Sequence, residues 1–125
     1  MVQTDARRRG KFVLVVEDEP HLRLMAGDLV EDAGLQPLFA ADADQAVRIL
    51  ESRDDIRIVF TDVRMPGSMD GIKLAAAVRD RWPPIRLIVV SGHLTLDPKL
   101  PEGSRYFGKP YAAADVISAL REFAA

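Results

Sequence analysis

Charged and hydroxyl side chains directly follow four apolar segments of this 125-residue chain. They are an acidic triplet, a single aspartate, a serine and a lysine: Glu17–Glu19, Asp62, Ser91 and Lys109. Neighbouring carboxylates repel one another unless a cation lies between them, and Mg²⁺ prefers oxygen ligands of this kind. A carboxylate beside such a cation can attack phosphorus and form an aspartyl phosphate. These residue types therefore predict phosphoryl transfer, provided that the fold brings them together.

Each of these groups has an expected task in that chemistry. We expect Glu17, Asp18 and Asp62 to share Mg²⁺ or Mn²⁺, which would offset negative charge on the phosphoryl oxygens. Lys109 would pair with a second phosphoryl oxygen, and Ser91 would donate a hydrogen bond to a third. Asp62 is the expected nucleophile.

Two sequence periods alternate along the chain and predict the elements that position these groups. Short apolar segments at 12–16, 36–40, 56–61, 85–90 and 105–108 are typical of buried strands. Apolar residues recur at helical spacing between most of these segments and after the last one. The alternation predicts an α/β fold with a doubly wound, five-stranded parallel sheet of order 2-1-3-4-5. Such sheets bind ligands outside the carboxyl ends of their strands, where the polar groups fall.

Proline, glycine and aspartate mark where several elements begin and end. Pro20 suits the first turn of a helix, and Gly34 suits its exit. Asp42 and Asp70 suit the N-cap position of the next two helices. Pro37 predicts that the second strand lies at an edge of the sheet, because proline cannot donate to a ladder.

The helical pattern is regular in four places and broken in a fifth. Met25 and Trp82 fall on apolar faces, so we expect both in or near the core. In residues 91–103, Pro98 and Pro101 would interrupt a regular helix. We therefore expect the fourth helix to be shortened or irregular.

The composition excludes several classes of protein. The chain is 48% apolar and 29% charged, with 17 basic and 19 acidic residues, so it carries no signal for nucleic acid or anionic membranes. It has no cysteine, which excludes disulfides and thiolate metal sites. No uninterrupted apolar run exceeds five residues, too few to cross a bilayer. We expect a cytoplasmic protein that contacts neither membrane nor nucleic acid directly.

Four motifs together resemble the receiver domains of response regulators in two-component signal transduction. They read VVEDE, FTDVRMPGSMDG, VVSGH and FGKPY, and they span nearly the whole chain from Phe12 onward. The resemblance implies a flavodoxin-like fold similar to that of chemotaxis regulators. It also implies that Asp62 is the phosphorylation site, that Glu17 and Asp18 help to hold the metal, and that the backbone carbonyl of Arg64 is a further ligand.

The same resemblance implies a switch and its partners. Ser91 and Lys109 would contact the phosphoryl group, the Lys109–Pro110 peptide bond would be cis, and Tyr106 would turn inward when Ser91 shifts. A sensor histidine kinase or a histidine phosphotransfer protein would donate the phosphoryl group. A downstream protein would bind the face formed by strands four and five and the last helix. No enzymatic activity is implied beyond metal-dependent self-phosphorylation and autodephosphorylation.

Other interpretations stay open for single residues and for the whole chain. Ser91 could be the N-cap of a following helix, Tyr106 an ordinary packed strand tyrosine, and His93 a residue that tunes access to the pocket. A phosphohydrolase with an aspartyl-phosphate intermediate would need an acid two residues after Asp62, where this chain has Arg64. A receiver-like module that docks partners without switching is a third possibility.

Two segments are expected along the chain. Residues 1–11 are polar, contain three consecutive arginines and predict a flexible tail, whereas residues 12–125 predict the receiver domain. The sequence stops just after the last predicted helix, which fits either a single-domain regulator or a part of a longer protein. Met1 favours a natural N-terminus.

Overall fold

The computed structural model describes residues 12–64, 69–92 and 99–125. Within this part lie β1 Phe12–Val16, α1 Pro20–Asp32, β2 Gln36–Ala40, α2 Ala43–Ser52, β3 Ile56–Asp62, α3 Gly71–Arg81, β4 Arg86–Ser91, β5 Arg105–Gly108 and α4 Ala113–Ala124. The bounds of β1, β2 and β5 match those expected from the sequence. Strand β3 continues one residue further, to Asp62, and β4 is shifted forward by one residue. The expected tail, residues 1–11, lies outside the described residues.

All five strands are parallel and form one sheet in the order β2-β1-β3-β4-β5. This confirms the doubly wound α/β fold, and it confirms that Pro37 lies in an edge strand. Strands β1 and β3 are neighbours where the strand order reverses, and Val16 pairs with Thr61 near their carboxyl ends. On the next strand Val90 pairs with Asp62. The polar residues that end these strands therefore lie at one edge of the sheet, the usual place for a ligand site.

Each face of the sheet packs on its own hydrophobic cluster, because successive strand side chains point to opposite faces. The first cluster joins the sheet to α2 and α3 through Ala46, Leu50, Leu74 and Val78, among others. The second joins it to α1 and α4 through Ala26, Val30, Val116 and Leu120, among others. Helices thus cover both faces, and the ends of the strands are the parts of the sheet that solvent and partners can reach.

Four of the predicted helix boundaries are confirmed. Pro20 is the first residue of α1, and Gly34 follows that helix with a φ of 84°, a conformation that glycine adopts easily. Asp42 and Asp70 are the N-caps of α2 and α3. The Asp70 carboxylate accepts a hydrogen bond from the backbone N–H of Lys73 at 2.9 Å, which satisfies one of the free donors of the first turn.

One prediction about the core is wrong. Met25 is 51% exposed on α1, although the sequence pattern predicted that it lies in or near the core. Helical spacing identifies residues that share a face, but it does not show whether another element covers that face. Trp82 is partly buried against the first cluster, as expected. The predicted break in the fourth helix falls partly on residues 93–98, outside the described part, while residues 99–104 contain a turn and no helix. None of the described helices is both long and apolar enough to cross a membrane.

Candidate functional site

Lys109 links the carboxylates at the ends of β1 and β3. Its ammonium nitrogen Nζ donates a hydrogen bond to Asp62 Oδ2 and lies 3.8 Å from Glu17 Oε1. Asp62 and Glu17 are only 8% and 7% exposed, which is unusual for acidic residues. Two buried carboxylates side by side need a compensating positive charge, and Lys109 supplies one. The structure thus brings Glu17, Asp62 and Lys109 together, as the strand order predicts.

The second oxygen of Asp62 is held by the turn that follows β3. Asp62 Oδ1 accepts a hydrogen bond from the backbone N–H of Arg64 at 3.0 Å. The main chain is held as well, because the backbone N–H of Val63 donates to the carbonyl of Val90 at 2.9 Å. The carboxylate is therefore fixed through both its side chain and its backbone.

The Glu17 carboxyl binds a proton more tightly than an ordinary glutamate. Its pKa is raised from 4.5 to about 7, first by burial and then by the carboxyl groups of Asp62 and Asp18. A hydrogen bond from the Glu19 backbone N–H to Oε2, at 3.1 Å, opposes this shift. Two buried carboxylates face one ammonium group here, so an added cation would stabilise their charged forms.

The charge state of Lys109 follows from the same neighbours. Burial alone would lower the pKa of its ammonium group, but the hydrogen bond to Asp62 and the charges of Asp62 and Glu17 outweigh burial and hold the pKa above its ordinary value. The Lys109 backbone N–H donates to the carbonyl of Ser91 at 2.7 Å, and the Lys109–Pro110 peptide bond is cis, as predicted. Lys109 therefore stays positively charged and ties the end of β5 to the end of β4.

Ser91 lies in β4, the strand that pairs with β3, and Tyr106 lies in β5, one strand further from Asp62. Ser91 ends β4, is 2% exposed and pairs with Gly108 in the sheet register. Tyr106 lies within β5 opposite Val89 and is partly buried against the first hydrophobic cluster. Their proposed roles in switching stay predictions. His93 lies outside the described residues.

The donor chemistry of the pocket fits a divalent cation, although the described residues do not form a complete ligand set. Glu17 interacts electrostatically with both Asp18 and Asp62, and carboxylate oxygens are the ligands that Mg²⁺ prefers. Asp18 is exposed, however, and no three acidic or histidine side chains among residues 12–64, 69–92 and 99–125 are arranged to hold a metal ion. The metal site, including the Arg64 carbonyl, therefore stays a prediction.

Sequence reasoning missed an apolar surface beside the pocket. Leu22 and Met25 of α1 are 38% and 51% exposed, and with Tyr111 they line an open cleft of about 520 Å³ that reaches Lys109. Burial raises the pKa of the Tyr111 hydroxyl. Tyr111, the aromatic residue directly after Lys109–Pro110, could have indicated this surface. The helical pattern instead predicted that Met25 lies in the core.

A second open cleft, of about 700 Å³, lies away from these groups. It is lined by the start of β3, the segment just before β4 and the ends of α2 and α3, including Arg53, Asp54 and Trp82. None of the pocket carboxylates or Lys109 contributes to it. The reactive groups therefore single out the carboxyl edge of the sheet as the candidate site.

The order of the doubly wound sheet places this chain among the flavodoxin-like α/β domains, with Asp62, Glu17 and Lys109 at its carboxyl edge. The family model described as response regulator receiver domain matches residues 13–121. This chain therefore belongs to the family of response regulator receiver domains, which are signalling domains of two-component systems rather than classical enzymes.

Two curated relatives that resemble this chain are much longer than it. A putative NtrX-like response regulator of Rickettsia bellii is 34% identical over 86 residues, which cover 68% of this chain and 18% of the relative. The nitrogen assimilation regulatory protein NtrX of Azorhizobium caulinodans is 27% identical over 110 residues, covering 84% of this chain and 24% of the relative. The chain thus spans less than a quarter of the length of these two proteins.

Solved receiver structures are similar over nearly the whole chain. A response regulator receiver protein from Sinorhizobium medicae is 28% identical, with a TM-score of 0.82 and coverage of 90% of this chain and 93% of the other. The response regulator TrrA from Thermotoga maritima, solved in complex with Mg²⁺ and BeF, has a TM-score of 0.81 at 21% identity, with coverage of 90% and 98%. These structures agree with the flavodoxin-like fold.

Proposed function

We propose that this chain is a phosphorylation-dependent switch of a two-component system, in which Asp62 accepts a phosphoryl group from a histidine kinase or a histidine phosphotransfer protein. The observation that carries the proposal is the approach of Lys109 Nζ to the buried carboxylates of Asp62 and Glu17. A buried carboxylate held at a strand end beside a cation is suited to act as a nucleophile toward phosphorus.

The proposed reaction transfers the phosphoryl group from nitrogen to oxygen. An oxygen of Asp62 attacks phosphorus, a new O–P bond forms, and the N–P bond of the donor phosphohistidine breaks. The leaving imidazole nitrogen keeps the electron pair and takes up a proton. Lys109 pairs with a phosphoryl oxygen and offsets its charge. Glu17, Asp18, Asp62 and the Arg64 carbonyl would hold Mg²⁺, which supplies further positive charge to the phosphoryl oxygens.

Phosphorylation would then change the affinity for a downstream protein. The aspartyl phosphate would attract Ser91, the last residue of β4, and Lys109, the residue directly after β5. Tyr106 lies in β5, which pairs with β4, the strand that ends at Ser91. A downstream target would bind the face of β4, β5 and α4, and the signal depends on a difference in affinity between the two states.

The exposed apolar residues beside the pocket support a protein as the phosphoryl donor. Leu22 and Met25 lie next to Lys109, Pro110 and Tyr111 in one open cleft. A small phosphorylated metabolite would gain little from apolar side chains outside the pocket, whereas a protein would bury them.

Phosphorylation of the intact protein by acetyl phosphate tests the proposal. The protein is incubated with Mg²⁺ and acetyl phosphate, and its intact mass is recorded beside Asp62→Asn and Asp80→Asn, the latter an exposed aspartate of α3. We expect wild type and Asp80→Asn to gain one phosphoryl group, which EDTA prevents, and Asp62→Asn to gain none.

Rapid hydrolysis of the aspartyl phosphate would hide the mass change, so beryllofluoride binding is measured in the same samples. Beryllofluoride stands in for the phosphoryl group on the aspartate oxygen. Binding by wild type and Asp80→Asn but not by Asp62→Asn supports the proposal. If neither acetyl phosphate nor beryllofluoride acts on wild type, the chain is not a phosphorylation switch.

A further inference from the structure

The first residue of α3 lies against the backbone of Asp62. A Cβ atom added to Gly71 would lie 2.1 Å from the Asp62 carbonyl oxygen and 2.8 Å from both the Asp62 carbonyl carbon and Val63 Cα. Real side chains do not approach backbone atoms so closely. Every other amino acid at position 71 would therefore displace either the helix or the Asp62–Val63 peptide unit.

Space, and not backbone conformation, explains why this position is a glycine. Among the glycines of the described residues, those with positive φ are Gly34 and Gly103. Gly71 has an ordinary helical position, and its backbone N–H donates to the Val63 carbonyl at 2.8 Å. The close approach brings the helix N-terminus into direct contact with the residue after the phosphoacceptor.

This contact closes the loop between β3 and α3 at its base. The loop leaves the strand at Val63 and returns to the same point at Gly71. Arg64, whose backbone N–H holds Asp62 Oδ1 and whose carbonyl is a predicted metal ligand, belongs to this closed loop. The backbone group that holds the Asp62 carboxylate therefore lies next to Val63, the residue that contacts the start of α3.

The helix itself cannot easily retreat from a larger residue. Leu74, Ala75 and Val78 of α3 are fully buried in the first hydrophobic cluster. Moving them would open a cavity in a close-packed core. Much of the strain from a side chain at position 71 would therefore fall on the Asp62–Val63 peptide and on the hydrogen bond from Arg64 to Asp62.

We propose that Gly71 is a positioning residue for phosphoryl acceptance: by fitting against the Asp62 carbonyl it fixes the direction of the Asp62 carboxylate. This inference rests on the proposed function, since it assigns Gly71 a part in the same site. A displacement of about 1 Å at a reacting group can lower a rate by about a hundredfold. We expect Gly71→Ala to lower the beryllofluoride affinity, in the presence of Mg²⁺, by about tenfold or more.

Gly27→Ala is the matched control. It is also a buried helical glycine, and its added Cβ would lie 2.7 Å from Cζ of Phe39, a ring that is 38% exposed and can move aside. Both variants replace glycine by alanine within a helix, which by itself favours the helix. Beryllofluoride affinity by calorimetry and unfolding by urea are measured for both variants and wild type. Gly27→Ala is expected to bind within about twofold of wild type.

A second measurement needs no variant and covers the case in which Gly71→Ala does not fold. Amide hydrogen exchange is followed in wild type with and without beryllofluoride and Mg²⁺. The Gly71 N–H is compared with the Trp82 N–H, which donates to the Val78 carbonyl at 2.7 Å at the other end of α3. A bound ligand slows exchange through general stabilisation at both amides. We expect additional slowing at Gly71, by about tenfold relative to Trp82.

The outcomes separate this inference from the function on which it rests. If wild type binds beryllofluoride but a folded Gly71→Ala binds within twofold of wild type, Gly71 does not position Asp62. Equal slowing of the Gly71 and Trp82 amides would also overturn the inference. If wild type neither binds beryllofluoride nor is labelled by acetyl phosphate, the proposed function itself fails.

Discussion

At the scale of single residues, the pocket combines buried charges that its own side chains do not fully balance. Glu17 and Asp62 are both buried, and Lys109 is the cation that contacts them. The pKa of Glu17 is nevertheless raised, chiefly by burial. A further cation bound beside these carboxylates would stabilise the charged form of Glu17.

Replacing Glu17 by Gln is expected to change how the stability of the metal-free protein depends on pH. The folded-state pKa of Glu17 is about 7 against an ordinary 4.5, so the folded state holds the proton more tightly. The resulting stabilisation is fully present below about pH 4.5 and is lost as the pH rises toward 7. A single proton limits the slope to about 1.4 kcal/mol per pH unit. Urea unfolding in EDTA at several pH values measures it.

The expected result is a difference between two curves. The free energy of unfolding of wild type, relative to Glu17→Gln, should fall between about pH 5 and pH 7. Glu31→Gln, which changes an exposed glutamate of α1, is the matched control and should run parallel to wild type. Parallel curves for wild type and Glu17→Gln would mean that Glu17 has an ordinary pKa in the folded protein.

At the scale of elements, aspartate side chains define where two helices begin. Asp42 accepts from the Gln45 backbone N–H at 2.8 Å, and Asp70 accepts from the Lys73 backbone N–H at 2.9 Å. Asp42→Ala and Asp70→Ala should each lower the free energy of unfolding by about 1 kcal/mol, because the first turn loses a hydrogen bond. Urea unfolding checks both variants.

Asparagine at the same positions provides the control for these caps. Asn is as good an N-cap as Asp, so Asp42→Asn and Asp70→Asn should keep most of the stability that the alanine variants lose. If the alanine and asparagine variants were equally stable at either position, the cap hydrogen bond at that helix would contribute nothing measurable.

Much of this organisation was predictable because it depends on local pattern. Short apolar segments gave the bounds of β1, β2 and β5, and Pro37 placed β2 at the edge. The exposure of Met25 was not predictable, because a helical period does not reveal what packs over a face. The contact of Gly71 with the Asp62 backbone also required the structure, since it depends on how α3 returns to β3.

At the scale of the whole molecule, three of the strands that end at the pocket, β3, β4 and β5, begin beside the last turn of α4. Arg57, Arg86 and Arg105 lie at the starts of β3, β4 and β5, respectively, and all three contact the last turn of α4. Arg57 donates to the Phe123 carbonyl at 3.3 Å, and Arg105 pairs with Glu122 at 3.2 Å. Arg57 thus satisfies a carbonyl at the end of α4, and the positive charges of all three arginines complement the negative end of the helix. The same strands therefore hold the pocket at one end and α4 at the other.

Arg86 should contribute more to this anchoring than Arg105. Its guanidinium carbon lies 3.9 Å from the centroid of the Phe123 ring, which is 3% exposed. Arg86→Ala should lower the free energy of unfolding by about 1–2 kcal/mol, through the lost cation–π contact and the uncovered ring. Arg105→Ala should cost less than about 1 kcal/mol, because the side chains of its ion pair with Glu122 are 42% and 65% exposed. Urea unfolding ranks the two variants.

The beryllofluoride affinity of these arginine variants decides whether the two ends of the strands are independent. Arg86 and Ser91 lie at opposite ends of β4, and the strand between them is buried on both faces. If the strand serves only as a rigid support, Arg86→Ala should be less stable than wild type and yet bind beryllofluoride equally well. A change in affinity that Arg105→Ala does not share would instead show that α4 and the pocket are coupled through β4, since a free-energy difference at one site must then appear at the other.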